Sequence, residues 1–223
     1  SAGQDFKTDG SQRDGMFPGG KGINVSMVLK NLGFDSRALG FMAGFTGKEI
    51  ARLLSERGIP SDFIHVKEGI SRINVKIRGR EESEINGQGP AIQKEDIDRL
   101  YRQLDDLKDG DALVLAGSIP DVMPGTMYMD IMEYVQDKKL LVAVDATRDL
   151  LVNVLKYHPF LIKPNNHELG EIFGVEITSK KDVAAYAKKL QEQGARNVLV
   201  SMAGDGAGLV SGGGRVFETM PPK

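Results

Sequence analysis

The chain has 223 residues, of which 29 are basic, 31 are acidic and none is cysteine. This near-neutral balance argues against nucleic acid or an anionic membrane surface as the main partner. The absence of cysteine excludes a disulfide framework, a thiolate metal site and a cysteine nucleophile. The length predicts one large domain, or one domain with a small appendage. No stretch is apolar for long enough to cross a bilayer, and we expect a cytoplasmic protein.

Helix and strand patterns alternate along most of the chain. Val25, Val28, Leu29 and Leu32 have helical spacing, and Gly33 is positioned to end that helix. In the following helix, Thr46 and Glu49 have the spacing of a capping box. Buried strands are predicted at 36–44, 111–118, 140–147, 159–166 and 197–204. Apolar strands separated by amphipathic helices predict an α/β fold with a parallel sheet covered on both faces.

Two segments depart from this rhythm and predict hairpins. In 71–90 the apolar residues Ile73, Val75 and Ile77 alternate with polar residues, a period of two that is typical of a half-buried strand. The turn residues "NGQGP" follow at 86–90. We therefore expect a β-hairpin that stands apart from the main sheet. A second hairpin is predicted over 206–219.

Polar clusters follow the strands or precede a helix, as "GGKG" (19–22), "GSIP" (117–120), "DAT" (145–147), "KPNNHE" (163–168) and "SMAGDG" (201–206). Any one of these clusters is commonly a simple turn. Ligands of open α/β sheets bind where strands end and helices begin, however, so together the clusters predict a binding site along one edge. Glycines at a helix start allow the backbone to approach a polar or anionic small molecule closely.

Three segments resemble phosphate-binding or metal-binding motifs, but each lacks a residue or element that its motif requires. Gly47 and Lys48 are followed by Glu49, so the segment is not a Walker A loop. The glycines at 204–208 resemble only half of a dinucleotide fingerprint, since a strand rather than a helix follows. "HELGE" (167–171) ends in glutamate where a zinc protease needs histidine.

Lys163, Asn165 and Glu168 support two interpretations. A lysine can neutralise phosphate, and a carboxylate with an amide can hold Mg²⁺ through its waters, which is what phosphoryl transfer requires. The same residues also suit an ordinary helix start, with Asn166 as the cap and Glu168 complementing the helix dipole. Spacing alone leaves both interpretations open.

Taken together, these segments resemble the ribokinase/phosphofructokinase-B (PfkB) family of carbohydrate kinases. "PGGKGINVS" is similar to the first sugar-binding signature of the family, and "LAGSIP", "VDAT", "LIKPNNHEL" and "VLVSMAGDGA" follow in the family's order. The resemblance implies a three-layer α/β/α ribokinase-like fold with a mostly parallel central sheet and a small β-sheet lid. The core would comprise 21–70 and 91–223, and the lid 4–20 and 71–90.

"SRINVKI" and "EINGQGP" narrow the resemblance to members that phosphorylate fructose 1-phosphate. It implies transfer of the γ-phosphoryl group of ATP, with Mg²⁺, to the 6-hydroxyl of that sugar, giving fructose 1,6-bisphosphate. Tagatose 6-phosphate is the alternative acceptor. The implied partners are a sugar phosphate and ATP, without nucleic acid or membrane, and the exposed face of the hairpin would allow a homodimer through the lid.

The resemblance also implies roles for individual residues. The substrate-binding set is Gly19, Gly20, Lys21, Asn24, Arg72, Asn74 and Ser118, with Arg72 and Asn74 meeting the phosphate that the sugar already carries. The nucleotide-binding set is Lys163, Asn165, Ser201, Gly204 and Gly206. Glu168, through water, and Asn165 would serve Mg²⁺. Ala203 stands where relatives often have glycine.

Two features of the family lie outside these residues. One is a first strand ending in an N-P-[AS]-x-D turn, which would precede "QDFKTDG" (4–10). The other is a G-A-G-D motif whose aspartate is the general base, expected beyond Lys223. No catalytic base is therefore assigned within the chain, and we expect the sequence to be a fragment or an incomplete record. A complete chain would instead favour a non-catalytic sensor of a sugar phosphate or nucleotide.

Overall fold

A computed structural model describes residues 3–9, 12–78, 82–120 and 123–221. The chain divides into two compact units. The first unit comprises Ser1–Asp105 and Ile119–Met123, and the second comprises Asp106–Ser118 and Pro124–Lys223.

The first unit contains two separate sheets and three helices. Its elements are β1 (Gly3–Asp9), β2 (Gln12–Gly19), α1 (Lys21–Asn31), β3 (Ala38–Ala43), α2 (Gly44–Glu56), β4 (Ser61–Val66), β5 (Ile73–Arg78), β6 (Glu82–Asn86) and α3 (Lys94–Asp105). One sheet has the strand order β2-β1-β5-β6, and the other pairs β3 with β4 in parallel. Strands β5 and β6 are antiparallel, with Asn74 opposite Asn86. This pairing confirms the hairpin that the period of two predicts.

The core of the first unit is formed where α2 packs on β3 and α1. Ile50 and Leu54 of α2 and Met42 of β3 are fully buried, and Ile23 and Ile59 complete the cluster. Helical spacing of apolar residues along α2 accounts for this packing.

The predicted capping box of α2 is wrong. The helix begins at Gly44, two residues before Thr46, and the preceding Ala43 is extended and supplies no side-chain cap. Thr46 instead donates its hydroxyl to the Ser71 carbonyl at 2.8 Å. The Thr46 hydroxyl therefore bonds to a residue 25 positions away in the sequence and does not cap the helix.

The second unit is an α/β unit around one six-stranded sheet. Its elements are β7 (Ala112–Ala116), α4 (Met127–Tyr134), β8 (Leu141–Asp145), α5 (Arg148–Val152), β9 (Leu161–Ile162), α6 (Asn166–Phe173), α7 (Lys180–Glu192), β10 (Asn197–Ser201), β11 (Ala207–Val210) and β12 (Val216–Thr219), with 3₁₀ turns at Leu155–Tyr157 and Ala203–Asp205. The strand order is β12-β11-β10-β9-β8-β7. Strands β7 to β10 are parallel, whereas β11 and β12 form the predicted antiparallel hairpin.

Apolar side chains from the parallel strands form the core of the second unit. Val144, Ile162, Val198 and Val200 are almost fully buried, and Leu151, Leu169 and Leu190 pack there from the helices. Alternating strands and helices therefore build the predicted α/β fold with a mostly parallel sheet. Among the residues that the structure describes, no helix combines the length and the apolar composition that crossing a bilayer requires.

Candidate active site

Strand register brings most of the predicted sugar-binding residues to one end of the four-stranded sheet. Gln4 of β1 lies opposite Pro18 of β2 and opposite Ile73 of β5. Two strand spacings, roughly 10 Å, therefore separate the end of β2 from the beginning of β5. Gly19 is the last residue of β2, and Arg72 directly precedes β5.

The helix that follows β2 begins with an open N-terminus. Gly20 is its N-cap, with φ 115° and ψ 140°, and neither a side-chain cap nor an acidic residue occupies the first turn. Lys21 and Asn24 are exposed there. A Cβ added to Gly22 would meet no described atom within 4 Å. Because internal packing does not demand this glycine, the bare backbone suits close approach of an external, electron-rich molecule.

Two buried polar atoms at the start of β5 have no partner. The Nε atom of Arg72 and the Oδ1 atom of Asn74 are both buried, and neither forms a hydrogen bond within the part of the chain that the structure describes. The two residues are separated by one position, so an extended backbone directs both to the same side. Unpaired buried polar groups cost free energy, so both side chains would be stabilised by a partner that reaches them. Gln103 Oε1 on α3 is a third such atom, and it lies outside the predicted site.

In the second unit, the ends of the parallel strands are linked by a series of contacts. The Gly117 amide donates to the Asp145 carbonyl at 3.0 Å, and the Asp145 carboxylate pairs with the Lys163 ammonium at 3.2 Å. Next along the edge, Asn165 forms a parallel bridge with Ser201. The strand ends thereby bring together predicted residues from three clusters, with exposed Ser118 directly after Gly117.

Asn165 and Glu168 form a complete capping box at the start of α6. The Asn165 side chain accepts from the Glu168 amide at 2.8 Å, and Glu168 Oε2 accepts from the Asn165 amide at 2.8 Å. The cap is thus Asn165 and not Asn166, whose amide nitrogen donates to the Ile177 carbonyl. The structure realises the capping interpretation, and a role toward phosphate or Mg²⁺ would be additional to it.

The loop after β10 contains glycines of two kinds. Gly206 has φ +91°, and a Cβ there would lie 2.0 Å from the Thr219 carbonyl oxygen. The hairpin itself therefore requires this glycine. Gly204 has no described atom within 4 Å of an added Cβ, and it remains the better candidate for a close nucleotide approach. Ala203 adopts φ +45°, the left-handed conformation that glycine tolerates best.

Asp145 and Tyr128 were not assigned roles from the sequence. The sequence could have indicated a role for Asp145, since this residue ends a predicted strand in "DAT". Tyr128 carried none, because it lies within α4 like an ordinary core residue. Its hydroxyl donates to the Gly117 carbonyl at 3.1 Å. With the amide of Gly117 bound to Asp145, both peptide groups of this glycine are held beside Ser118.

Tyr128 gives the first testable prediction. Burial, and then the negative charge of Asp145, raise its pKa to about 12 from the usual 10.0. An acid whose pKa is raised by folding contributes stability below its unfolded pKa and loses it as the pH rises through the folded value. We therefore expect wild-type stability to fall more steeply between pH 10 and about 12 than that of Tyr128→Phe.

Urea unfolding at stepped alkaline pH measures this difference. At neutral pH the Tyr128→Phe variant is expected to lose about 1 kcal/mol with the hydrogen bond to Gly117. Tyr157→Phe, which removes an exposed hydroxyl bonded to Glu133, controls for loss of a tyrosine hydroxyl. Equal slopes in the wild type and Tyr128→Phe would contradict the prediction.

An open depression of about 710 Å³ lies elsewhere on the second unit, lined by residues of α5 and α6 and by Gln193. Its charged pair, Arg148 and Glu171, is bonded at 3.0 Å but largely exposed. The Arg148 guanidinium lowers the pKa of Glu171. Predicted site residues are absent from its lining, so the strand ends remain the candidate site of this unit.

Comparison with known proteins identifies the family. The model of the pfkB family carbohydrate kinases matches residues 7–223. The chain belongs to this family. It is therefore a carbohydrate kinase, a phosphotransferase that uses ATP and an alcohol group as acceptor.

Individual relatives of this kinase agree with that assignment. The chain is 46% identical over 221 residues to 1-phosphofructokinase of Bacillus subtilis, covering 98% of the chain and 73% of the relative. It is 39% identical over 191 residues to D-tagatose-1-phosphate kinase of Bacillus licheniformis, covering 85% of the chain and 62% of the relative. A crystal structure of a putative phosphofructokinase from Staphylococcus aureus matches with a TM-score of 0.78 and 41% identity, over 94% of this chain and 70% of that one.

Proposed function

We propose that this kinase transfers the γ-phosphoryl group of ATP to the 6-hydroxyl of fructose 1-phosphate, giving fructose 1,6-bisphosphate. The similarity to 1-phosphofructokinase over 98% of the chain supports the substrate. The observation that carries the proposal is the pair of buried, unpartnered polar atoms on Arg72 and Asn74. A sugar phosphate would complete both, because its phosphate accepts from a guanidinium and its hydroxyl groups donate to an amide oxygen.

In the first unit, we assign the sugar and its phosphate to the residues at the end of the four-stranded sheet. Gly19, Gly20 and Asn24 hold sugar hydroxyls at the open start of α1, and Lys21 adds positive charge there. Arg72 and Asn74 bind the existing phosphate. Apart from Gly3, the sheet β2-β1-β5-β6 lies within the predicted lid segments 4–20 and 71–90, and it would act as a lid that excludes water from the transferring group.

In the second unit, we assign the ATP phosphates to the ends of the parallel strands. Lys163 neutralises phosphate charge, and its ion pair with Asp145 keeps it at the strand end when no nucleotide is present. Asn165, Ser201 and Gly204 border the nucleotide, and Ser118 is assigned to the sugar. Gly206 contributes by shaping the loop.

Mg²⁺ fits the donors at this edge. Among the described residues, no group of three or more His, Asp or Glu side chains is arranged to hold a metal alone. Mg²⁺ does not require one, because it retains several waters and binds substrate phosphates with one or two carboxylates. Asp145 is the last residue of β8, and Glu168 lies in the first turn of α6, which follows β9. When bound, the ion would neutralise charge that develops on the phosphates.

A second acceptor is supported by a specific relative. The D-tagatose-1-phosphate kinase of Bacillus licheniformis is 39% identical to this chain, and tagatose differs from fructose only in configuration at one carbon. Steady-state kinetics of the full-length protein with fructose 1-phosphate, tagatose 1-phosphate and tagatose 6-phosphate test the proposal. We expect the highest kcat/KM with fructose 1-phosphate, and a higher value with either tagatose phosphate would overturn it.

The lid sheet also exposes apolar side chains. Phe17 of β2 and Ile85 of β6 are 45% and 61% exposed, respectively. A second copy of the chain would cover such residues, and we include a homodimer through this sheet in the proposal. Sedimentation of Ile85→Lys against the wild type tests it, since an unchanged mass in solution would remove this face from the interface.

Substituting Gly22 is expected to affect stability and substrate binding in opposite directions. An added methyl group meets nothing within 4 Å, so Gly22→Ala is expected to stabilise α1 by roughly 0.5–1 kcal/mol. The same methyl group would occupy space assigned to the sugar and raise its KM. Thermal unfolding and kinetics measure the two effects, and a stabilised variant with unchanged KM would show that no ligand approaches Gly22.

A further inference from the structure

Ser71, the residue directly before Arg72, is held by three hydrogen bonds to the start of α2. Its amide donates to the Ala43 carbonyl at 2.9 Å, and its hydroxyl accepts from the Ala43 amide at 3.1 Å. Its carbonyl accepts from the Thr46 hydroxyl at 2.8 Å. The amide, the hydroxyl and the carbonyl of Ser71 are thus all hydrogen-bonded, which fixes the direction of the backbone there.

Both hydroxyl groups in this arrangement are deeply buried. Thr46 and Ser71 are each 1% exposed, and Ser26, at 5%, is the other buried polar residue in the described part of the chain. Buried hydroxyls are costly unless they are bonded, so an apolar residue would be the simpler choice for packing alone. The two bonded hydroxyls therefore fix one backbone geometry at Ser71.

Close packing around Ser71 reinforces these bonds. A Cβ at Gly47 would lie 3.1 Å from the Ser71 hydroxyl oxygen and 2.9 Å from Met42 Cβ. A Cβ at Gly44 would lie 2.7 Å from the Ile70 side chain. Two glycines of α2 therefore let the helix approach the segment that leads into β5, and Gly44 also has φ +61°.

We propose that Thr46 and Ser71 are positioning residues for Arg72. The inference rests on the proposed binding of a sugar phosphate by Arg72. The hydroxyl of Thr46 fixes the peptide between Ser71 and Arg72, and this peptide sets the direction in which the guanidinium leaves the backbone. A guanidinium binds phosphate through two parallel hydrogen bonds. Binding is weaker if the side chain is mobile beforehand, because it then loses conformational entropy when the phosphate binds.

Kinetics of Thr46→Val and Thr46→Ser in the full-length protein test the inference. Valine keeps the shape of threonine but leaves the Ser71 carbonyl without its donor, whereas serine keeps the donor. We expect Thr46→Val to raise the KM for the sugar phosphate roughly tenfold, with the KM for ATP changed less than about twofold. Thr46→Ser is expected to restore the KM for the sugar phosphate to near the wild-type value.

Ile50→Val is the matched control, because it weakens the same helix by about 1 kcal/mol without touching a hydroxyl. It is expected to lower thermal stability and leave both KM values unchanged. Equal increases in both KM values for Thr46→Val, or the same increase in Ile50→Val, would reduce Thr46 to a structural residue. Failure of the proposed function looks different, since the wild type itself would then show no saturation by a sugar phosphate.

Discussion

Replacing Arg72 with alanine is expected to raise the KM for the sugar phosphate by about a hundredfold and to change the KM for ATP by less than about twofold. A guanidinium fork that binds phosphate through charge-assisted hydrogen bonds contributes roughly 1.5–3 kcal/mol or more. Alanine removes the whole fork. Steady-state kinetics with each substrate varied at saturation of the other measures both effects.

Stability provides an independent readout for Arg72. Because its buried Nε atom has no partner among the described residues, removing it relieves a desolvation cost and breaks no hydrogen bond of that atom there. We expect the midpoint of thermal unfolding of Arg72→Ala to be equal to or above that of the wild type. The sugar phosphate, which should raise the wild-type midpoint, should have little effect on the variant.

Two further variants define the role of the arginine. Arg72→Lys keeps the charge but loses the planar fork, and an intermediate KM is expected. Arg57→Ala removes an exposed arginine of the same unit that donates to the Leu53 carbonyl, and it should behave as the wild type. Equal losses of sugar and ATP binding in Arg72→Ala would remove Arg72 from the assigned role.

Glu168→Gln is expected to lower kcat by about a hundredfold while unfolding at nearly the wild-type temperature. Glutamine at this position still accepts from the Asn165 amide, so the capping box survives and only the charge is lost. The variant therefore separates the two interpretations that the spacing of Lys163, Asn165 and Glu168 leaves open. If Glu168 helps to hold Mg²⁺, the Glu168→Gln variant needs more free Mg²⁺ than the wild type to reach half of its maximal rate.

Glu171→Gln is the matched control for this experiment. It makes the same substitution one turn later in α6, where the carboxylate pairs with exposed Arg148. Water and salt screen exposed ion pairs, so little change in stability or kcat is expected. Should Glu168→Gln retain wild-type kcat and Mg²⁺ dependence, Glu168 would be a capping residue alone.

Much of the fold could be predicted because its signals are local. The period of two at Ile73, Val75 and Ile77 identified the β5–β6 hairpin, and alternating apolar strands and amphipathic helices identified the α/β class. Glycine-rich and polar clusters at strand ends identified the candidate sites, since the ends of parallel strands lie along one edge of a sheet. These features depend on the order of residue types along a few turns or strands.

Other features could not be predicted because their partners are distant in sequence. Local spacing placed Thr46 in a capping box, but the hydroxyl bonds to Ser71 instead. Burial among core residues gave no sign that Tyr128 holds Gly117, and the pairing of Lys163 with Asp145 joins residues of different strands. Gly206 is predicted to border a nucleotide, and the clash of a Cβ with the Thr219 carbonyl gives this glycine a packing role that the sequence did not indicate.

Periodicity and residue order by themselves determined the fold class, the family resemblance and the segments that carry chemistry, since each is encoded in short stretches of chain. Only the tertiary structure decided which buried polar atoms remain unpaired and which hydroxyl holds which backbone group. Hydrogen bonding is short-ranged and directional, so its outcome depends on where separate elements come to lie after folding. The partnerless atoms of Arg72 and Asn74 belong to this second class.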